Sequence, residues 1–214
     1  MRILFIHGLA SSGAYKTAAS LRKLFRPCEV VSPDVPIDPA KALPMLRRLC
    51  EEVQPDLIVG LSLGGFWAQK LRGYRKVCIN PDFHPSARLH TKMGENTWLS
   101  PRQDGAATFT ITPDICEGYA VVEEGQFDGL TDDERALTDG LFADNDELVD
   151  CYDEFVRYYP SSAHRYPGKH LPVYPELRDY LVPVVKGLRV NGSTSQRVNG
   201  STSQQVNELK GKDE

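Results

Sequence analysis

The stretch DLIVGLSLGGFW, residues 56–67, runs from an apolar segment through Gly-x-Ser-x-Gly into a second apolar segment. The pattern predicts a buried strand that ends at Leu61 and a helix that begins just after Ser62. A serine at such a turn exposes its hydroxyl at the head of the sheet, and Gly60 and Gly64 let neighbouring backbone come close. The helix N-terminus favours negative charge beside that hydroxyl. Ser62 is therefore the candidate nucleophile, and the simpler alternative is a glycine turn that happens to contain serine.

Apolar runs and amphipathic stretches alternate along the rest of the chain. Several runs are apolar without interruption, as expected of strands covered on both faces. Strands are predicted at residues 2–6, 28–32, 56–61, 76–80, 136–143 and 162–166, and helices at 12–25, from 38 onward, at 147–155 and at 175–187. This alternation predicts an α/β fold, a mostly parallel sheet with helices on both faces.

Two segments depart from this alternation. Residues 83–130 are rich in Pro, Gly, Asp and Thr with weak periodicity. They fit either a cap-like insertion over the site or an irregular excursion. From residue 189 the sequence RVNGSTSQ occurs twice in succession, and so polar a segment is expected to be disordered. We therefore predict one domain over residues 1–188 and a disordered tail over 189–214.

The composition argues against several classes of protein. The 25 Lys and Arg nearly balance the 29 Asp and Glu, without a basic stripe of the kind that binds nucleic acid. No stretch approaches the roughly 20 apolar residues of a membrane span. The opening MRILFIHG is cut short by His7 and Gly8, unlike a signal peptide. A cytoplasmic protein is expected, and its oligomeric state is not readable.

The five cysteines are dispersed, and they form neither a CxxC pair nor a Cys/His group at zinc spacing. A disulfide framework and a metal site are therefore not expected. The Asn-Gly-Ser sequons at Asn191 and Asn199 would carry glycans only in a secretory setting, which the rest of the chain argues against.

An activated serine also needs N–H groups to bind the oxyanion. One donor is expected from the residue after the nucleophile, Leu63, and the other from an early strand-to-helix loop, where Leu9 or Ala10 could supply it. His7 begins that loop. It could be a catalytic base, but the order of triad residues puts the base last, so we favour a role in shaping the loop.

The base and the acid are expected after later strands. His170 follows the strand 162–166 on a glycine loop, whereas His164 lies within that strand. Candidate acids are Asp144 and Asp146 just beyond the strand 136–143, together with two less favourable carboxylates: Asp82 in a turn and Asp150 in a predicted helix. An acid there would orient the histidine and stabilise its imidazolium form. The order Ser, Asp, His is that of α/β-hydrolases.

The sequence resembles the small bacterial esterases of the YqiA/YcfP type, within the α/β-hydrolase superfamily. The matching stretches are ILFIHGLASS, IVGLSLGGFWA, INPDFHP, NDELVD and PGKH, in order over residues 2 to about 188. The resemblance implies a hydrolase of acyl esters or thioesters with Ser62 as nucleophile, Asp146 as acid and His170 as base. It implies neither a metal nor an organic cofactor.

The sequence therefore predicts a serine hydrolase that cleaves a small-molecule carboxylic ester or acyl thioester through an acyl-enzyme intermediate. Two alternatives stay open at this point. A serine peptidase or amidase would use the same three residues, and a hydrolase fold without activity could serve as a binding module.

Overall fold

A computed structural model of the protein describes residues 1–187. The predicted tail with its tandem repeat, residues 189–214, lies outside the described residues. Within the described part, no helix is both long enough and apolar enough to cross a membrane.

Six parallel strands form the central sheet. Their order across the sheet is β2-β1-β3-β4-β7-β8, and each neighbouring pair is parallel. The strands are β1 (Arg2–Ile6), β2 (Glu29–Val31), β3 (Leu57–Leu61), β4 (Lys76–Ile79), β7 (Thr138–Ala143) and β8 (Ala163–Tyr166). All six predicted strands are present. The order reverses between β1 and β3, the kind of position beside which open α/β sheets bind ligands.

Helices cover both faces of this sheet, as the alternation predicted. They are α1 (Lys16–Leu24), α2 (Pro39–Val53), α3 (Leu63–Lys70), α4 (Pro85–His90), α5 (Pro113–Glu123), α6 (Asp132–Ala136), α7 (Tyr152–Tyr158), α8 (Tyr174–Glu176) and α9 (Val182–Val185), with a π-helical turn at Leu177–Leu181 between the last two. Alternate residues of β1 point to opposite faces: Leu4 and Ile6 pack with α2, α3, α5 and α7, whereas Ile3 and Phe5 pack with α1 and the C-terminal helical segment.

Two predicted helices begin later than the sequence pattern indicated. Helix α1 begins at Lys16 and not at Ser12. The Ser12 hydroxyl accepts from the N–H of Ala14 at 3.1 Å and donates to the carbonyl of Pro101 at 2.7 Å, in the turn before the helix. Helix α7 begins at Tyr152, and residues 147–150 belong to a loop. Asp38, by contrast, does cap α2, since its carboxylate accepts from the N–H of Ala40.

Residues 83–130, called the inserted segment below, have a regular structure of their own. The segment contains α4, an antiparallel pair of strands, β5 (Gly94–Thr97) and β6 (Thr108–Ile111), and then α5. Tyr119 of α5 is buried against Trp67, with ring centroids 5.4 Å apart. The segment is therefore anchored on the helix that follows Ser62.

Candidate active site

Ser62 lies at the sharp turn between β3 and α3. Its backbone has φ 57° and ψ −120°, in a region that side-chain-bearing residues rarely adopt. Neighbouring glycines make the turn possible. A Cβ atom on Gly64 would lie 2.0 Å from the carbonyl oxygen of Ile6, and one on Gly60 would lie 2.2 Å from that of Gly64. The Gly-x-Ser-x-Gly pattern is thus a steric requirement of this turn.

Asp146 and His170 are brought together at the same edge of the sheet. Asp146 follows β7 and His170 follows β8, and a 2.7 Å hydrogen bond joins Asp146 Oδ2 to His170 Nδ1. Both side chains are more than nine-tenths buried. The other Asp146 oxygen accepts from the N–H groups of Leu148 and Val149, each at 2.9 Å. The carboxylate is therefore fixed on one side by backbone and on the other by the histidine ring.

These contacts also determine the charge of Asp146. Burial by itself would raise the pKa of the carboxyl group. The hydrogen bonds from His170 and from the N–H groups of Val149 and Leu148 outweigh burial, and the net effect holds the pKa below its usual value. Asp146 is consequently ionised at neutral pH and accepts a hydrogen bond from Nδ1–H of His170, which leaves Nε2 free of this contact.

The competing carboxylates lie elsewhere. Asp144 is half-exposed and forms an ion pair with Arg165, at 3.6 Å. Asp150 is exposed in the loop before α7. Asp82 is buried and pairs with Arg88. Among the carboxylates of the described residues, only Asp146 forms a hydrogen bond with the His170 ring.

His164 has a separate partner. Its Nε2 lies 3.2 Å from Asp139 Oδ1, on the neighbouring strand β7. The pair belongs to the sheet and not to the site around Ser62.

Ser62 and His170 line one cavity of about 330 Å³ at the carboxyl edge of the sheet. Within residues 1–187, Ser62 Oγ has no hydrogen-bond partner, and no hydrogen bond joins it to His170. Such contacts in hydrolases are often long without substrate and tighten once it is bound. The apolar part of the lining comes from Leu9, Leu61, Leu99, Phe109, Leu148, Val149 and Leu171.

Two backbone N–H groups near Ser62 are available to a ligand. Leu63 is the first residue of α3, and Leu9 lies in the cavity lining on the loop after β1. Neither N–H group donates to an acceptor within the described part of the chain, and the same is true of Ala10. The predicted oxyanion hole needs free N–H groups at these positions, from Leu63 and from Leu9 or Ala10, and it stays a prediction.

His7 holds the loop that carries Leu9. The ring is buried, its Nδ1 donates to the carbonyl of Gly8 at 2.8 Å, and its Nε2 accepts from the N–H of Val35 at 2.9 Å. The ring can donate from Nδ1 and accept at Nε2 at the same time only when it is neutral. Burial is the largest influence on its pKa, which is lowered to about 4. These contacts fit a role in shaping the loop, as favoured from the sequence.

Hydrogen bonds also tie the loop after β1 to the inserted segment. The N–H of Leu99 donates to the carbonyl of Ala10 at 2.6 Å, and Ser12 Oγ donates to the carbonyl of Pro101. One wall of the cavity is thus attached directly to the loop that offers the second N–H donor.

The sequence pattern gave Asn80 no role beyond ending a strand, yet it joins three parts of the site. Its amide nitrogen donates to Tyr166 Oη and to the carbonyl of His170, at 3.0 and 2.8 Å, and its amide oxygen accepts from the N–H of Ala143. Asn80 is buried with φ 42°. The available signal was a polar residue directly after a buried strand, at the edge where the other site residues lie.

Residues 2–125 match an uncharacterised protein family, UPF0227, over more than half of the chain. The chain belongs to this family. UPF0227 comprises proteins of the YqiA/YcfP type, so the resemblance seen in the sequence is confirmed. The matched residues include Ser62 and the inserted segment almost to its end, whereas Asp146 and His170 lie beyond them. No curated protein matches this UPF0227 member in sequence.

Solved structures share the fold of this UPF0227 protein at low sequence identity. A methylesterase from Arabidopsis has a TM-score of 0.56 and 14% identity, over 88% of this chain and all of its own. An esterase domain from Rhodothermus marinus has a TM-score of 0.52 and 18% identity, over 87% of this chain and 84% of its own. An extracellular α/β-hydrolase from a Paenibacillus species has a TM-score of 0.52 and 11% identity, over 87% of this chain and 98% of its own. The fold is therefore that of α/β-hydrolases, as predicted.

Proposed function

We propose that this protein is a serine hydrolase that cleaves a carboxylic ester or an acyl thioester through an acyl-enzyme intermediate. The observation that carries the proposal is the buried hydrogen bond from His170 to Asp146 at the edge of a cavity that Ser62 also lines. A serine, a histidine and an acid on separate loops, in this chain order, form the constellation that α/β-hydrolases use for acyl transfer.

Each residue has a defined role in the proposed reaction. His170 Nε2 takes the proton from Ser62 Oγ as that oxygen bonds to the acyl carbon, and the N–H groups of Leu63 and Leu9 stabilise the negative oxygen that results. His170 then gives the proton to the departing alcohol or thiol. Water, deprotonated by the same histidine, cleaves the acyl-serine bond and restores the enzyme. Asp146 stabilises the imidazolium formed in each half of the cycle.

Two observations support an ester or a thioester of a carboxylic acid with a hydrocarbon chain. The apolar lining of the cavity suits a hydrocarbon acyl group. Two of the structures with this fold are named a methylesterase and an esterase domain. We further propose that the inserted segment acts as a cap, because it supplies six of the residues that line the cavity: Arg88, Lys92, Asn96, Thr97, Leu99 and Phe109.

The proposal is tested by labelling and by turnover. A fluorophosphonate probe should label the wild-type protein on Ser62 and should not label Ser62→Ala. The wild-type protein should hydrolyse members of a panel of p-nitrophenyl esters and acyl-CoAs, and Ser62→Ala should lose on the order of 10⁶ in kcat, the scale found for a triad serine in a protease.

The same experiment separates the alternatives. Faster cleavage of aminoacyl amides than of esters would replace the esterase proposal with a peptidase or amidase. A correctly folded protein that neither reacts with the probe nor cleaves any substrate would favour a binding module.

A further inference from the structure

The cavity beside Ser62 has charged side chains on one wall only. Arg88 and Lys92, both from the inserted segment, are the charged residues among those that line it, and within the described part of the chain no carboxylate does so. The chain as a whole carries a formal net charge of −4. The charge of this wall is therefore opposite in sign to the net charge of the chain.

Arg88 is held in a fixed relation to the nucleophile. Its Nε donates to Oδ2 of Asp82, whose side chain is almost completely buried. The backbone N–H of Asp82 in turn donates to the carbonyl of Ser62 at 3.2 Å. The remaining guanidinium N–H groups of Arg88 have no acceptor among the described residues. An arginine that is anchored through Nε keeps its other donors available for a planar anion.

Lys92 extends the same wall. It lies four residues after Arg88, and its N–H donates to the carbonyl of Leu89 at 2.9 Å, so the helical turn continues past the end of α4. Residues four apart on a helix share a face, where two like charges are unfavourable. Lys92 Nζ has neither a hydrogen bond nor an ion pair within residues 1–187. A ligand with negative charge would relieve this repulsion and satisfy both side chains.

We propose that Arg88 and Lys92 form an anion subsite, and that the substrate carries a carboxylate or phosphate group in addition to the bond that Ser62 attacks. This inference rests on the proposed function and narrows its substrate class to anionic esters. The apolar residues of the cavity, Leu148 and Leu171 among them, would contact the hydrocarbon part of the same molecule.

The test compares matched substrates that differ in charge. p-Nitrophenyl hydrogen glutarate is paired with its methyl ester, and a butyryl ester of glycerol phosphate is paired with monobutyrin. The first pair places a carboxylate on the acyl side, and the second places a phosphate on the alcohol side. For each pair, the ratio of kcat/KM for the anionic substrate to kcat/KM for the neutral one is measured.

The wild-type protein should favour the anionic member of at least one pair by about tenfold, the lower range for a hydrogen bond to a charged group. Lys92→Gln should lower that ratio by roughly threefold to fivefold, because an exposed ion pair contributes less. Arg88→Gln should lower it more, and Arg88→Lys should restore part of it. Lys41→Gln removes the same charge from an exposed position outside the cavity lining and should leave the ratio unchanged.

The outcome separates this inference from the proposed function. If neutral esters are cleaved and the anionic members of both pairs are cleaved no faster, or if Lys92→Gln and Arg88→Gln leave the ratio unchanged, the anion subsite is wrong while the hydrolase proposal stands. If no ester in either pair is cleaved and Ser62 does not react with a fluorophosphonate, the proposed function itself fails.

Discussion

Acidification should destabilise this protein through His7. The pKa of the buried ring is about 4, against 6.5 for an ordinary histidine. Burial is the main cause. The hydrogen bond with the Gly8 backbone and the charge of Asp34 raise the pKa, and the charge of Arg102 lowers it further. Between these pH values the unfolded chain binds a proton that the folded chain does not. The stability contributed by the neutral ring is therefore complete above pH 6.5 and is lost as the pH falls toward 4. A shift of this size corresponds to about 3 kcal/mol of unfolding free energy.

Structurally, protonation removes the lone pair on His7 Nε2 that accepts from Val35. A loss of about 3 kcal/mol is a large share of the 5–15 kcal/mol by which domains are typically stable. Since the ring also holds the loop that carries Leu9, activity should fall over the same pH range.

The assay is urea denaturation at pH 7.5, 6.5, 5.5 and 4.5, followed by tryptophan fluorescence, to which the buried Trp67 contributes. His7→Gln is the matched control, because glutamine can accept from Val35 but does not titrate. At pH 7.5 the variant should be less stable by roughly 1 kcal/mol, the usual cost of a lost hydrogen bond. The bond lost here is the one from His7 Nδ1 to the carbonyl of Gly8. At pH 4.5 the order should reverse. Parallel pH dependences for the two proteins would refute this account of His7.

Three further predictions concern the site. Asp146→Asn should lower kcat by roughly 10⁴, the loss known for the equivalent change in a serine protease. Asp144→Asn, at a half-exposed ion pair, should keep kcat within about tenfold of the parent value. The opposite ranking would assign the acid to Asp144. Gly64→Ala should prevent the turn from forming, because its Cβ would overlap backbone; thermal denaturation would detect this, and an unchanged Tm would contradict it. Asn80→Ala leaves the N–H of Ala143 without its acceptor and should cost about 1–3 kcal/mol of stability in urea denaturation. A loss below about 0.5 kcal/mol would speak against this role of Asn80.

The central sheet was predictable because its strands are short apolar runs that lie in the interior. Each observed strand falls within the predicted range and differs by at most two residues at either end. The elbow at Ser62 was predictable for a related reason, since the close approach of backbone leaves room only for glycine at Gly60 and Gly64. Steric requirements of this kind can be inferred directly from the local sequence.

The inserted segment was harder to predict because its contacts are divided. Its side chains pack partly on α3 and partly line the cavity, so no single apolar face repeats along it. Local signals were nevertheless present. Thr112 and Pro113 have the form of a helix cap and a first helical residue, and Thr112 Oγ1 does accept from Ile115.

Contacts between distant residues set the remaining limit on prediction. Asn80 bonds to the carbonyl of His170, which lies 90 residues further along the chain. The pairing of Arg88 with Asp82 depends on where α4 lies relative to the end of β4. No periodicity or motif encodes such contacts, because they depend on the tertiary arrangement.

The hydrogen bond from Leu99 to Ala10 has a consequence for how selectivity would be expressed. Under the proposed function, hydrogen bonds join the wall that would contact the far end of a substrate to the loop that would stabilise the transition state. A compound that fits the wall poorly would shift the loop after β1. The N–H group of that loop would then be poorly aligned with the negative oxygen of the transition state. Discrimination between substrates should then appear mainly in turnover and less in the concentration needed for half-saturation.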